Sequence, residues 1–371
     1  MSAPPCVVLG VAASKRTRGL QAARAALGLP PARLVEWRDW LVSRECLDIA
    51  LAPGCRLKLE PPGDDVQVHA ALIDRGARRR GRPASAPLQH GELCGTDLWF
   101  AGFEQALDQI ARQLAAHPGV DSVNAPHEIA LMTDKWRCQE HLAAHGLPVP
   151  PLLGRVGSFD EFDALLREHA VDRVFLKARY GSSAAGVVAY RRNARGDEQA
   201  ITSAHLVETL DTPRLFNDKR IRTYTDRREI AAVVDLVAAQ QAYVEAWIPK
   251  PRRGAGHFDL RVLALAGAPA HRVARVGLRP MTNLHLDSRR ADPATLLTGD
   301  ELALMEDTTR RAAAAFPHSR VIGVDLVVKG QRAAVLEANA FGDLLPGLLW
   351  QGRDAYAAQA GVAAPLAELA P

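Results

Sequence analysis

The sequence predicts a mixed α/β (α+β) protein, with strands and helices alternating at one end and hairpins at the other. Two stretches carry that expectation. Over residues 6–50, an apolar run (CVVLGV, 6–11), a helix from about Leu20 to Leu27, a strand at Leu34–Trp37 and a helix at Trp40–Ala50 alternate. That alternation reads as a small domain with a parallel sheet. Over residues 321–340, VIGVDLVVKGQRAAVLEANA, two β-rich runs flank a Gly-containing break and read as a hairpin.

That hairpin is where chemistry is expected. Residues two apart on a strand share a face, so Glu337 and Asn339 point the same way. Asp325 joins them only if the loop holds an odd number of residues. With a three-residue loop, Asp325 lies diagonal to Glu337, about 7–8 Å away. Oxygen-bearing side chains converging in an apolar sheet need a counter-charge. A hard divalent ion, Mg²⁺ or Mn²⁺, would supply it. The alternative is an ordinary amphipathic hairpin with its polar face in water.

At 371 residues the chain exceeds one simple core, and two or three subdomains are expected. Its 48% apolar and 24% charged content is that of a globular chain. Five cysteines, an odd number with no C-x-x-C, suggest neither a disulfide framework nor a zinc site. The first residues lack a basic stretch ahead of an apolar core, and no run approaches a membrane span. A cytoplasmic location is therefore expected. Among 46 basic residues only seven are lysines: 15, 58, 135, 177, 219, 250 and 329. In a chain that uses Arg for bulk charge, each compact ammonium is informative, since phosphate clamps use it as a point charge.

Taken in order, a polar loop at 12–19 follows the first strand. It is not G-x-G-x-x-G, and G-x-x-x-x-G-K-[ST] occurs nowhere, so Rossmann and Walker-type sites are unsupported. Residues 75–82 read as a basic Gly/Pro loop, solvated or facing an acidic partner. With no other basic run interleaved with aromatics, nucleic acid is not expected. Phe103–Ala116 is a helix broken by Pro118-Gly119. A further helix carries Lys135 in its first turns and ends at Gly-Leu-Pro; alone, Lys135 reads as a surface lysine. In 173–190 a strand places Lys177 near its end, ahead of Gly181-Ser182-Ser183-Ala-Ala-Gly186 and another strand. Small residues let backbone N–H groups approach a phosphate, although a Gly/Ser turn is common by itself. Residues 243–249 form a strand with Glu245. Strands follow at His257–Gly267 and Arg272–Gly277, with Asp259 and Arg261 on one face and able to pair with each other. Residues 299–316 form a helix capped by Thr298.

In this order MTDKWRC with HGLPVPP, VFLKARYGSSAAGV, YVEAWIP, FDLRVLALAG, TNLH, GVDLVV and VLEANA resemble the ATP-grasp superfamily. Within it, the pieces look like the branches of the ribosomal-protein glutamate ligases and the D-alanine–D-alanine ligases. The resemblance runs from about His117 to Pro346. It implies an N-terminal α/β pre-ATP-grasp domain (1–116), a linker helix and small subdomain with a flap (117–244), and a C-terminal subdomain with the metal site (245–371). ATP would be clamped between the last two. Lys135 and Lys177 would contact its phosphates, under a flap formed by Gly181, Ser182, Ser183 and Gly186. Glu245, Ala246, Trp247 and Ile248 would lie beside adenine, Asp259 on the ribose side, and Asn283 near the phosphates. Arg275, with Lys177, would steady the transferred phosphoryl group. Asp325, Glu337 and Asn339 would hold Mg²⁺ or Mn²⁺. Two departures stand out: Ala178 follows Lys177 where proline is usual, and Met281 replaces an arginine of the glutamate ligases.

The activity implied is ATP-dependent carboxylate–amine ligation through an acyl phosphate, releasing ADP and phosphate. The alternatives are a phosphotransferase on the same fold and a nucleotide-binding module without chemistry. Expected partners are ATP, a carboxylate substrate (amino acid, peptide or small acid) and an amine acceptor. A homodimer is left open, and no membrane contact is expected.

Overall fold

A computed structural model describes residues 4–361, apart from 64, 84–87, 90, 182–183, 210–211, 285, 287, 343–344 and the side chain of residue 219. Ser182 and Ser183, expected in the flap, lie outside the described residues.

The N-terminal part runs β1 (Cys6–Gly10), α1 (Lys15–Ala26), β2 (Arg33–Glu36), α2 (Trp37–Val42), α3 (Glu45–Ala50), β3 (Arg56–Leu59), α4 (Val66–Arg79), α5 (Thr96–Ala116) and β4 (Asp121–Ser122). The sheet has order β2-β1-β3-β4 with parallel pairings, as expected. α1 starts at Lys15 rather than near Leu20, because the Ser14 hydroxyl accepts the Thr17 N–H at 3.0 Å and caps it. The single helix expected over Trp40–Ala50 is two short ones, α2 and α3.

Residues 75–79, expected in a loop, are instead the end of α4. Asp65 caps that helix through the N–H groups of Gln67 and Val68 at 2.9 and 3.1 Å. Its stripe of Val68, Leu72, Ile73, Gly76 and Ala77 is buried. The arginines occupy the other face and disguise that stripe. α4 and α5 touch backbone to backbone: a Cβ on Gly76 would lie 1.8 Å from the Leu98 oxygen, and one on Gly102 1.9 Å from the Leu72 oxygen. Gly102→Ala should therefore cost about 1–3 kcal/mol by overpacking. A urea midpoint equal to wild type would disprove this close crossing.

The middle part runs α6 (Pro126–Thr133), α7 (Lys135–Ala144), β5 (Leu152–Arg155), α8 (Phe159–Glu168), β6 (Arg173–Lys177), β7 (Val187–Arg192), β8 (Glu198–Val207), β9 (Arg214–Tyr224), α9 (Arg227–Ala238) and β10 (Tyr243–Ala246). Its antiparallel sheet has order β5-β10-β6-β7-β8-β9. α8 and α9 cover one face and share a core of Phe162, Leu166, Val233 and Val234 with Val174 and Tyr190 of the sheet. On the other face, Ala189 and Ile201 pack with Met281 and Leu286, against Phe175 and Trp247.

The last part runs β11 (Arg252–Arg253), β12 (Gly256–Leu265), β13 (Ala268–Gly277), β14 (Arg289–Ala291), α10 (Gly299–Ala314), β15 (Val321–Lys329), β16 (Arg332–Asn339) and α11 (Ala355–Gly361). The sheet order is β14-β13-β12-β15-β16, with β11 on β12. Thr298 and Glu301 form a capping box on α10. Phe258 and Phe316 belong to one core with Trp37, Trp40 and Phe103 of the N-terminal part. The middle sheet and its helices keep a core of their own. Among the described residues no helix is long and apolar enough to cross a membrane.

The β15–β16 hairpin forms, with a different connection from the one expected. Lys329 pairs with Arg332, so the turn holds only two residues, and Gly330 takes φ 59° in it. An even loop alone would send Glu337 to the opposite face from Asp325. A bulge corrects this: Leu326 pairs with Val335, but Asp325 pairs with Glu337, leaving Leu336 as the extra residue. Asp325 and Glu337 are thus directly opposite rather than diagonal.

Candidate functional site

One face of the C-terminal sheet carries an ordered set of charges. Strand alternation puts Asp259 and Arg261 on that face of β12. Across the ladders, Asp259 stands opposite Arg275, Arg261 opposite Asp325, and Asp325 opposite Glu337. The pairing expected between Asp259 and Arg261 does not occur, because each has a better-aimed partner on a neighbouring strand. Arg275 Nε donates to Asp259 Oδ1 at 2.8 Å, and Lys250 Nζ to Asp259 Oδ2 at 2.9 Å. Lys250 also reaches Thr282 Oγ1 at 2.7 Å. Arg261 forks Asp325, through Nε and through Nη2 at 2.9 Å, and Arg275 Nη2 adds a third contact at 3.1 Å.

Burial pushes the Asp259 and Asp325 carboxyls up. For Asp259, Arg275 and Lys250 outweigh it; for Asp325, Arg261 and Arg275 do. Both acids are held below the usual carboxylate range. Arg275 is correspondingly held above its usual value: burial pulls it down, and the two acids more than offset that. Burial lowers Lys250, with Asp259 opposing.

A second set faces these from α7, β6 and β10. Lys135 opens α7 and is ion-paired to Glu337. Lys177, at the end of β6, sits 2.5 Å from Glu245 Oε1. Glu245 is 2% exposed, and burial raises its carboxyl despite Lys177. Gln139, one turn along α7 from Lys135, donates to Leu336 O at 3.0 Å and to Glu245 Oε2 at 3.4 Å. It links the bulged strand to β10.

The loop after β6 is tied to the same helix. Arg179 forks the α7 cap residue Asp134 with two 2.7 Å bonds, and the Lys135 N–H donates to Arg179 O at 3.2 Å. Gly186 has φ 67°, and its Cβ would lie 2.7 Å from the Ala178 Cβ, so a side chain there is excluded. A Cβ on Gly181 would meet the Ala185 oxygen at 2.6 Å.

The structure therefore brings together Lys135, Lys177, Glu245, Asp259, Arg275, Asp325 and Glu337. Asn339 follows on the Glu337 face, its Nδ2 3.5 Å from Gly323 O. Ala246, Trp247 and Ile248 continue from β10, half-buried, with Trp247 4.8 Å from Phe175 between ring centroids. Asn283 is half-buried next to Thr282.

The acids were expected to lack counter-charges and so to require a divalent ion. The chain supplies its own: two arginines on Asp325 and a lysine on Glu337. Among the described residues no group of three His, Cys, Asp or Glu side chains is arranged to hold a metal. The oxygens of Glu337 and Asn339 remain chemically suited to Mg²⁺, a hard ion that takes few carboxylates and completes its shell with phosphates and water. Sequence reasoning named Lys250 and Arg261 without giving either a place in the site, and it missed Gln139 and the Asp134–Arg179 fork. The scarcity of lysine was a signal for Lys250; nothing in the local sequence marked Gln139.

No family model matches the sequence, and no curated protein matches it. Solved structures do. The D-cycloserine synthetase DcsG superimposes with a TM-score of 0.54 at 15% identity, covering 96% of this chain and 98% of that one. A RimK domain ATP-grasp protein from Sphaerobacter thermophilus gives 0.52 at 14%, covering 97% and 99%. The ATP-grasp ligase PsnB, complexed with a precursor variant, Mg and ADP, gives 0.50 at 14%, covering 92% and 89%. At such identities the likeness is one of fold.

Proposed function

We propose that this chain, which has the ATP-grasp fold, is an ATP-dependent ligase joining a carboxylate to an amine through an acyl phosphate. The observation that supports this most is the convergence of two scarce lysines on neighbouring carboxylates, Lys135 on Glu337 and Lys177 on Glu245, with Asn339 on the Glu337 face of the same strand. In the free protein each ammonium rests on a carboxylate. A triphosphate would replace those carboxylates as the lysines' partner.

Glu337 and Asn339 would hold the Mg²⁺, whose chemistry is to neutralise charge on the phosphates, while Asp325 opposite stays engaged with Arg261 and Arg275. A substrate carboxylate oxygen attacks the γ-phosphorus, and the bond to the β,γ-bridging oxygen breaks to release ADP. The amine nitrogen then attacks the acyl carbon. The acyl C–O bond breaks, phosphate departs, and the nitrogen loses a proton. Arg275, fixed between Asp259 and Asp325, keeps a permanent positive charge where the phosphoryl group would pass. No side-chain nucleophile is needed; orientation and charge carry the rate.

The test supplies ATP, Mg²⁺, candidate acids and amines, and identifies products by mass spectrometry. A ligase yields an amide, ADP and phosphate. A phosphorylated product without an amide would make the chain a phosphotransferase instead. Lys135→Met should raise the KM for ATP by about 10–100-fold, the value of a charged hydrogen bond. An unchanged KM would remove Lys135 from the phosphate site.

A further inference from the structure

A second charged cavity lies away from this cleft, between the N-terminal sheet and α11. It is lined by Cys6 of β1, Leu20 and Arg24 of α1, Arg56 and Lys58 of β3, and Gln359 of α11. α11 is seated close to α1 because residue 19 is glycine: a Cβ there would lie 2.5 Å from the Tyr356 ring. The space is about 30 Å³ for the centre of a water-sized sphere. One water needs roughly 10–15 Å³ by that measure, so a compact multi-atom ligand fits.

Its lining is short of negative charge. Lys58 sits 2.6 Å from Glu60, and Arg56 3.1 Å from Asp121, which Arg320 also contacts. Arg24 is 4% exposed and has no carboxylate partner among the described residues. Its Nε donates to Pro30 O at 2.8 Å, but its Nη2 is buried with no acceptor among the described residues. Gln359 is 9% exposed, and both its Nε2 and Oε1 are buried without partners among the described residues. A buried guanidinium nitrogen and a buried amide left unpaired are costly unless something fills the site. Burial raises the Cys6 thiol, and Arg24, Lys58 and Arg56 pull it back, so the three cations converge on one region.

We propose that this cavity is a binding site for hydrogen phosphate, held by Arg24 and Gln359 with support from Lys58 and Arg56. The chemistry selects the ligand class. Donors approaching from three elements suit a tetrahedral oxyanion better than a planar carboxylate or a halide. The unpaired Gln359 Oε1 wants a proton donor as well, which hydrogen phosphate has and sulfate lacks at neutral pH.

The test is thermal unfolding and calorimetric titration of the full chain with sodium phosphate, against sulfate and chloride at matched ionic strength. Phosphate should raise the midpoint, sulfate should bind about threefold or more weakly, and chloride should do neither. Arg24→Met should weaken phosphate binding at least about tenfold. Its phosphate-free midpoint should equal or exceed that of wild type, since an unpaired buried cation has been removed. Gln359→Met should weaken binding about threefold and serves if Arg24→Met fails to fold. Lys135→Met, altered in the cleft, should keep the full response. A response lost in Lys135→Met but kept in Arg24→Met would place the anion in the cleft and overturn the proposal. So would equal stabilisation by chloride, or no response at all. Sulfate binding as tightly as phosphate would overturn the assignment to hydrogen phosphate.

Discussion

Replacing Glu337 by alanine is expected to lower ATP turnover by roughly 10³-fold, the scale of losing a preorganised charge-stabilising group. The fold should survive. Glu337 is on an edge strand with its side chain 29% exposed, and the Lys135 it leaves behind can turn toward water. Such a partly exposed ion pair contributes no more than about 1 kcal/mol. The measurement is ATP hydrolysis or amide formation beside a urea unfolding curve. Wild-type turnover in a folded Glu337→Ala protein would end the assignment of this face to nucleotide and metal. Loss of turnover together with loss of structure would instead show that the residue supports the hairpin.

Asp325→Ala should behave differently, although Asp325 lies directly opposite Glu337. Its carboxylate is 5% exposed and satisfies two buried guanidiniums, Arg261 and Arg275. Removing it strands that charge, at a cost of about 3–5 kcal/mol. The double variant Asp325→Ala/Arg261→Met should recover part of the loss, because Arg275 keeps Asp259. A single variant within about 1 kcal/mol of wild type would show that the network is not coupled.

The pH dependence has a definite sign. The folded Asp325 carboxyl is held below its usual value, so its stabilisation is complete above the unfolded value of about 3.9. It is lost as the pH falls through the lower folded value. Asp325→Asn resembles the protonated form, so its deficit against wild type should be constant from pH 7 to about 5 and close below about 4. A gap that closes between pH 7 and 5 would contradict the depressed carboxyl.

The elements read best from sequence were those whose local pattern is complete in itself. Thr298 announced the start of α10, and the strand ending in Lys177 announced the Gly-rich loop. The ones missed depended on distant partners. α4 was obscured because its arginines are conspicuous while its buried stripe needs α5, and two glycines far apart in sequence, to make sense. β8 and β9 went unread because polar residues punctuate them. Parity argued from loop length failed at β15–β16, since a bulge several residues from the turn reset the register.

By itself the chain determined which residues could do chemistry: the scarce lysines, the alternation at Glu337 and Asn339, the shared face of Asp259 and Arg261. These follow from residue type and the two-residue period of a strand, both local properties. Which charge answers which was decided only by folding. Arg261 turns to Asp325 rather than to Asp259, and Lys135 crosses to Glu337, because strand register and helix placement set those distances. At a few ångströms in a buried site, distance selects the partner.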